Sequence, residues 1–228
     1  MRRAIAEHTI FWQELRRNFR HTGSVLPSGR FLSAALARYV RSIPGEKRIL
    51  EVGPGTGVVT RAIIKRTSRG DRLDLVELND RFVEILNGRI ASDRKFQKPG
   101  VQVQVFHAPV ESLQVEQPYD LIVSGLPLNN FDVPLIEKIF GAFERLCKPG
   151  GIVSFFEYAG VRPARALVGQ GKERERFRAI HGLLRDKLRK HEIRREWIWP
   201  NVPPAWVHHM RLHETVERPS KNGKRRSK

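Results

Sequence analysis

The sequence predicts an α/β protein with a mostly parallel sheet covered by helices on both faces. Strand-like apolar runs alternate with helix-like segments from residue 30 to residue 212. The first strand, residues 48–52, runs directly into a glycine-rich loop and then a helix. Hydrophobic residues make up 40% of the 228 residues, which is enough for a sizeable core. Alternation of this kind is typical of parallel sheets that are buried on both sides.

Each element follows from its local pattern. Helical segments carry apolar residues three or four positions apart, and strands are short runs rich in β-branched residues. The prediction in chain order is a helix at about 30–42, a strand at 48–52, a helix with Val59 and Ile63, a strand at 73–77, a helix with Phe82 and Leu86, strands at 101–106 and 119–124, a helix at about 133–147, a strand at 152–158 and a basic helix at about 171–190. Strands near 192–199 and 205–212 then form a hairpin around the proline-rich residues 200–204.

The charge balance is strongly basic. Lys and Arg number 42 against 24 Asp and Glu, a net charge of +18, which attracts nucleic acid or an anionic membrane surface. A single cysteine, Cys147, excludes an internal disulfide and a cysteine-based zinc site, so a reduced, cytoplasmic setting is expected. No segment resembles a signal peptide or a membrane span. We therefore expect any membrane contact to be peripheral.

A glycine-rich loop and its acidic partner predict the cofactor. Gly53, Gly55 and Gly57 follow the first strand, and glycines allow a backbone to approach a ligand closely. Glu77 ends the second strand 77 − 57 = 20 residues later, the spacing expected of a carboxylate that binds a ribose diol. The spacing is not that of a dinucleotide loop, and Glu51 would repel a pyrophosphate but suit a cation. The alternatives are a simple turn for the glycines and a solvated strand end for Glu77.

The loop Glu51-Val52-Gly53-Pro54-Gly55-Thr56-Gly57 resembles motif I of the class I S-adenosylmethionine-dependent methyltransferases, and the resemblance extends over about residues 30–212. It implies a Rossmann-like sheet of seven mostly parallel strands, a C-terminal antiparallel hairpin and an N-terminal helical extension. It also implies S-adenosylmethionine as cofactor, S-adenosylhomocysteine as product and no metal. The residues assigned to the cofactor are Glu51, Gly53, Pro54, Gly55, Thr56, Gly57, Glu77, Leu78, Pro109, Val110, Glu111 and Ser124.

One part of the family pattern is missing. Where the family often has an aspartate after the third strand, this chain has His107-Ala108-Pro109-Val110-Glu111. The adenine contact is therefore expected from the backbone or from Glu111.

Residues 124–131, after the fourth strand, lie where methyltransferases place the acceptor atom. The rRNA adenine dimethyltransferases carry Asn-Leu-Pro-Tyr there, and the amide and the ring hold the flipped base. This chain has Ser-Gly-Leu-Pro-Leu, which lacks both groups. An RNA methyltransferase stays open as the alternative because of the basic charge. A non-catalytic module of this fold is a second alternative, which the intact glycine loop and its acids argue against.

The same loop resembles that of the bacterial phospholipid N-methyltransferases, which convert phosphatidylethanolamine toward phosphatidylcholine. Residues 22–30 and 201–205 are also similar to segments of that family. The resemblance implies an amine-headed phospholipid, or another amino lipid, as acceptor. The expected substrate-binding residues are Ser28, Arg30, Pro127 and Leu128, with Ser28 and Arg30 as candidates for the lipid phosphate.

The predicted chemistry is in-line attack of a deprotonated lipid amine on the methyl carbon. The tasks left to the enzyme are alignment and exclusion of water. Tyr158, at the end of the fifth strand, is the candidate that orients or desolvates the amine. The Leu126 carbonyl and Asn129 are candidate acceptors for the amine hydrogens. The alternative for Tyr158 is an ordinary strand-end aromatic residue.

Three regions are expected: a basic, amphipathic segment at 1–29, the methyltransferase domain at 30–212 and a basic, disordered tail at 213–228. On a helical wheel, Phe11, Trp12, Leu15 and Phe19 share one arc and arginines occupy the other. This pattern favours a helix lying in a lipid interface, and packing on the domain is the alternative. The expected partner is the anionic inner face of a membrane, bound peripherally by a monomer.

Overall fold

The computed structural model describes residues 28–128, 131–158, 172–201 and 203–212. The helices and strands in chain order are α1 (Ser28–Leu36), β1 (Arg48–Val52), α2 (Val58–Ile64), β2 (Arg72–Glu77), α3 (Asp80–Ser92), β3 (Gln102–His107), β4 (Tyr119–Ser124), α4 (Val133–Leu146), β5 (Cys147–Tyr158), α5 (Lys172–His191), β6 (Glu192–Ile198) and β7 (Ala205–Arg211). The amphipathic segment and the tail predicted at the two ends lie outside the described residues, apart from the first residues of α1.

Seven strands form one sheet in the order β3-β2-β1-β4-β5-β7-β6. Strands β1 to β5 are parallel, and β7 pairs antiparallel with both β5 and β6. The predicted fold class, a mostly parallel seven-stranded sheet with a C-terminal antiparallel hairpin, is therefore confirmed. The order reverses between β1 and β4, and ligands bind at such a switch point beyond the carboxyl ends of the strands.

Helices cover both faces of the sheet. Leu32 of α1, Ile63 of α2 and Leu86 of α3 pack with alternate strand residues on one face. Phe143 of α4 and Leu184 of α5 pack with the other strand residues on the opposite face. Both faces of the central strands are apolar, as expected where helices lie on either side. Among the described residues, no helix is both long and apolar enough to cross a bilayer.

Two boundaries differ from the prediction. The helix expected at 30–42 ends at Leu36, and a 3₁₀ turn at Arg38–Arg41 replaces its last part, a common ending for a helix. The strand expected at 152–158 begins at Cys147, and the Lys148–Gly151 segment is bulged strand. Gly150 has φ +74° there. The segment pairs with Leu212, because Gly150 N–H donates to the Leu212 carbonyl and Leu212 N–H to that of Gly151.

Candidate active site

The glycine loop lies at the carboxyl end of β1, held by the neighbouring strands. Gly53 N–H donates to the Val76 carbonyl at 3.0 Å, and Gly125 N–H to the Val52 carbonyl at 2.8 Å. Gly55 has φ +55°, and a Cβ there would meet no atom within 4 Å. This backbone therefore borders open space, where a ligand can approach it closely.

Glu77 holds the loop in place. Its carboxylate is buried and accepts hydrogen bonds from the N–H groups of Gly55 (3.0 Å), Leu78 (2.8 Å) and Asn79 (2.9 Å). Burial raises its pKa, although these N–H groups act in the opposite direction. The predicted ribose-binding acid thus also fixes the distance between β2 and the loop.

Glu51 is a fully buried carboxylate, and within the described residues neither of its oxygens has a hydrogen-bond partner. Burial raises its pKa from 4.5 to about 8; nearby Thr60 acts in the opposite direction, and the charge of Glu77 adds to the rise. A cation bound nearby would favour the ionised form and provide the missing partner. The predicted role of Glu51 near a positive charge is chemically consistent with this geometry.

A cavity opens beside the loop, between the carboxyl ends of β1 to β4 and the start of α4. Six of the predicted cofactor residues line it, together with Leu126 and other apolar residues. The full lining is Val52, Gly53, Val76, Glu77, Leu78, Ala108, Pro109, Val110, Glu111, Leu126, Phe131, Leu135 and Ile139. The cavity is therefore apolar on most sides, with carboxylates at its edge.

The other predicted cofactor residues surround this lining without being part of it. The Pro54 carbonyl accepts from Gly57 N–H at 2.8 Å, and exposed Thr56 accepts from Arg89 through its carbonyl. Ser124 is buried, and its hydroxyl accepts from Leu126 N–H at 3.3 Å. These residues shape the loops, and their contact with a cofactor stays a prediction.

The loop after β4, which was predicted to hold the acceptor, contributes less side-chain surface to the cavity than expected. The Leu126 carbonyl already accepts from Leu128 N–H at 3.0 Å, which leaves it one lone pair. Leu128 is fully buried in the core instead of lining the cavity, and Pro127 is also buried. Asn129 lies outside the described residues.

Tyr158 and Arg30 are not among the residues that line the cavity, and the side chain of Ser28 lies outside the described part of the chain. The Tyr158 ring packs edge-on against Phe156 with centroids 5.1 Å apart, and burial raises the pKa of its phenol. Ser28 begins α1, and the exposed Arg30 guanidinium lies 5.0 Å from the Phe31 ring centroid. Their predicted roles toward a lipid stay predictions.

The prediction missed the apolar wall formed by Phe131, Leu135 and Ile139. The signal was the apolar period of the helix predicted at 133–147. That period shows which side chains are buried, but not which of them face a ligand.

The residues of this site fit the chemical groups of S-adenosylmethionine. The apolar slot beside Val110 and Leu126 suits an adenine ring, and the Glu77 carboxylate suits a ribose diol. The orphaned Glu51 oxygens suit the positive methionine end, and the open side of Gly55 leaves room for it.

Comparisons with known proteins agree with this geometry. A family profile described as a methyltransferase domain matches residues 49–151. The chain is 30% identical over 146 residues to the ornithine lipid N-methyltransferase of Singulisphaera acidiphila, which is 62% of this chain and 74% of that protein. It is 37% identical over 79 residues to the ribosomal RNA small subunit methyltransferase A of Pseudomonas syringae pv. syringae, which is 35% of this chain and 25% of that protein.

Solved structures resemble it in fold. A 1,6-didemethyltoxoflavin-N1-methyltransferase from Burkholderia thailandensis superposes with a TM-score of 0.61 at 15% identity, over 92% of this chain and 90% of that one. The N-methyltransferase NodS from Bradyrhizobium japonicum does so with a TM-score of 0.59 at 17% identity, over 81% and 96%.

Proposed function

Because the chain belongs to the class I S-adenosylmethionine-dependent methyltransferases, we propose that it methylates the amine headgroup of a membrane lipid. Its cofactor, S-adenosylmethionine, supplies an electrophilic methyl group on a sulfonium centre. Phosphatidylethanolamine, converted toward phosphatidylcholine, and ornithine lipid are the two candidate headgroups. The observation that carries this proposal is the match to an ornithine lipid N-methyltransferase over most of that relative's length.

The cavity supports a division of tasks among its residues. Val110, Leu126 and Phe131 exclude water from the reacting centre. Glu77 and the glycine loop fix the ribose, and Glu51 balances the positive charge. Glycine and apolar side chains at this site leave alignment and desolvation as the main sources of rate.

A lipid amine needs acceptors for its hydrogens more than a stacking ring. The second lone pair of the Leu126 carbonyl and the Asn129 side chain serve this purpose in the proposal. Tyr158 remains protonated because burial raises its pKa, so it orients or desolvates the amine instead of removing a proton. Ser28 and Arg30 bind the lipid phosphate.

Methylation of an rRNA adenine is the second candidate. The relatives named as ribosomal RNA methyltransferases favour it, but the chain spans a quarter of the length of the one that is 37% identical. At the positions where those enzymes carry Asn and Tyr around Leu-Pro, this chain has Gly125 and Leu128, so the amide and the ring that hold a flipped base are missing there.

One assay separates the two candidates. The full chain is incubated with methyl-labelled S-adenosylmethionine and either detergent micelles of phosphatidylethanolamine or ornithine lipid, or total RNA. We expect label in a lipid, with Glu77→Ala as the inactive control. Label in RNA alone would contradict the proposal.

A further inference from the structure

A second groove lies between α1 and the β6–β7 hairpin and shares no lining residue with the cofactor cavity. Its lining consists of Phe31, Ala34, Ala35, Arg38, Arg66, Glu196, Trp197, Ile198 and Pro200. Within the described ranges, the strongly exposed large hydrophobic side chains are all aromatic and lie in or next to this groove: Phe31 at 42%, Trp197 at 42% and Trp199 at 72%. Exposed clustered aromatic residues mark an interaction surface.

The aromatic residues are combined with cations. The Arg30 guanidinium lies 5.0 Å from the Phe31 ring centroid. Trp197 packs on Trp206 at 4.5 Å between centroids, and Arg195 lies 4.7 Å from the Trp206 ring. Aromatic rings with nearby guanidiniums are typical of side chains that sit at the level of lipid headgroups.

The groove also carries positive charge that is not neutralised. Arg38 pairs with Glu196, but Arg66 donates only to the Ala62 carbonyl, and no carboxylate of the described chain pairs with it. Burial lowers the pKa of Arg66, and the positive charges of Arg41 and Arg38 lower it further. A guanidinium without a carboxylate partner attracts phosphate groups.

One end of the groove reaches the edge of the sheet where the active site lies. The last residue of β5, Tyr158, is in register with Ala205, which also pairs with Ile198 at the end of β6. At the other side of the groove, the Cβ position of Gly29 at the start of α1 lies 4.0 Å from Val58, the first residue after the glycine loop. The two walls of the groove, α1 and β6, therefore each have one end at the carboxyl edge of the sheet.

We propose that this groove, with Phe31, Trp197, Trp199 and Arg66, is a docking surface for an anionic phospholipid bilayer. Its aromatic side chains enter the interface while the Arg66 guanidinium binds a lipid phosphate. Exposed aromatic rings beside guanidiniums are typical of the lipid headgroup level, which favours a lipid occupant. The inference rests on the proposed lipid substrate for its role, because a lipid methyltransferase must meet the bilayer that holds its substrate.

The test measures sedimentation of the full chain with vesicles of phosphatidylcholine, with and without phosphatidylglycerol. Arg66→Gln is expected to weaken binding to the anionic vesicles about fivefold. Trp199→Ala is expected to weaken it about tenfold, as burial of roughly 60 Å² of ring surface implies. Trp199→Tyr should retain binding, and Lys138→Gln, an exposed charge on α4 across the sheet, is the matched control.

Vesicle binding that is unchanged in both Trp199→Ala and Arg66→Gln would overturn the inference. If the same variants instead reduce the retention of RNA, the groove binds RNA. If they reduce the mass of an oligomer, the groove binds a second copy of the chain. If they only lower the midpoint of unfolding, these side chains serve the stability of the fold alone. Each of these outcomes also overturns it.

A readout without vesicles separates this inference from the proposed function. Variants that label micellar lipid normally but lose vesicle binding support both. A chain that labels no lipid in micelles yet binds anionic vesicles through Trp199 and Arg66 retains the docking surface and loses the proposed function. If the chain labels lipid but these variants leave vesicle binding unchanged, the proposed function is retained and the docking surface is lost.

Discussion

The buried carboxyl group of Glu51 makes the stability of the folded protein depend on pH. This group is fully buried without a hydrogen-bond partner in the described structure, and burial raises its pKa from 4.5 to about 8. Between these two values the native state binds a proton that the unfolded chain has released. Stability is therefore lost as the pH rises from about 4.5 to about 8, at up to about 1.4 kcal/mol per pH unit.

Glu51→Gln removes this dependence on pH. Urea unfolding should show the variant gaining stability over the native chain by on the order of 1–3 kcal/mol between pH 5 and pH 8. Calorimetry should show its affinity for S-adenosylmethionine falling by tenfold or more, because a neutral amide does not balance a cation. The exposed Glu84→Gln on α3 is the control. Equal pH profiles for variant and native chain would contradict the buried, protonated state.

Substitutions at Gly55 and Gly57 distinguish the requirements of ligand binding from those of fold stability. Both have positive φ, so alanine at either position costs about 1–2 kcal/mol of strain. A Cβ on Gly55 meets nothing, whereas one on Gly57 would lie 2.6 Å from the Phe96 ring. Gly57→Ala should therefore be the less stable variant, by a further 1–3 kcal/mol or so.

The order should be reversed for cofactor binding, with Gly55→Ala losing more affinity than Gly57→Ala. The methyl group of Gly55→Ala projects into the space beside the loop, so calorimetry should show a larger loss of S-adenosylmethionine affinity than its modest loss of stability implies. A Gly55→Ala protein that binds the cofactor as tightly as the native chain would show that the ligand does not approach this side of the loop.

Local residue patterns predicted some of the site and could not predict the rest. The glycine loop and Glu77 were assigned correctly to the carboxyl edge of the sheet because glycine spacing and a strand-end acid are visible in the sequence. Leu128 was expected at the substrate, but its N–H donates to the Leu126 carbonyl in a tight turn and its side chain is buried in the core. Which way a loop side chain turns depends on such contacts and not on spacing.

Besides the pairing of β7 with β5, one carboxylate connects the β6–β7 hairpin to the segment after α1. Glu196 of β6 accepts from Arg38, which follows α1, and lies 3.0 Å from His209 Nε2 of β7. The His209 Nδ1 atom is 2.7 Å from the Ser154 hydroxyl of β5. Burial lowers the pKa of His209 to about 4, so the ring is neutral at neutral pH. A chain of hydrogen bonds thus crosses three strands and reaches the segment after α1.

Glu196→Gln should lower the free energy of unfolding by about 1–2 kcal/mol near pH 7, since it removes charged hydrogen bonds that are partly open to solvent. Burial alone would raise the pKa of Glu196, but hydrogen bonds from Arg38 and His209 hold it below 4.5. The stabilisation is present above pH 4.5 and is lost as the pH falls through the lowered native pKa. Urea unfolding should show the difference shrinking as the pH falls below 4.5. Glu137→Gln, exposed on α4, should show neither effect.

At the level of elements, the sequence predicted the strands well and their order less. Turn residues and apolar runs placed β6 and β7 within one or two residues of their observed bounds. They could not show that β7, and not β6, lies next to β5, because that order depends on long-range pairing of Phe155 with His208 and of its neighbours.

Charge is the feature of the whole molecule that local structure does not explain. The +18 net charge is spread over the chain, so anionic vesicles should attract even a protein without a dedicated surface, and salt should weaken that attraction. Specific insertion must therefore be distinguished from charge alone. The two ends of the sequence provide matched segments for this purpose.

Residues 1–20 carry five Arg and two Glu, 5 − 2 = +3, together with Phe11, Trp12, Leu15 and Phe19. Residues 213–228 carry six Lys or Arg and two Glu, 6 − 2 = +4, with Val216 as the single hydrophobic residue. If charge alone drives binding, deleting the C-terminal segment should weaken vesicle sedimentation at least as much as deleting the N-terminal one. If residues 1–20 form the predicted interfacial helix, their deletion should weaken it roughly tenfold more, and the difference should persist in high salt because apolar burial is not screened. Both truncated proteins should keep their affinity for S-adenosylmethionine, and equal losses of vesicle binding would leave the N-terminal segment with no role beyond its charge.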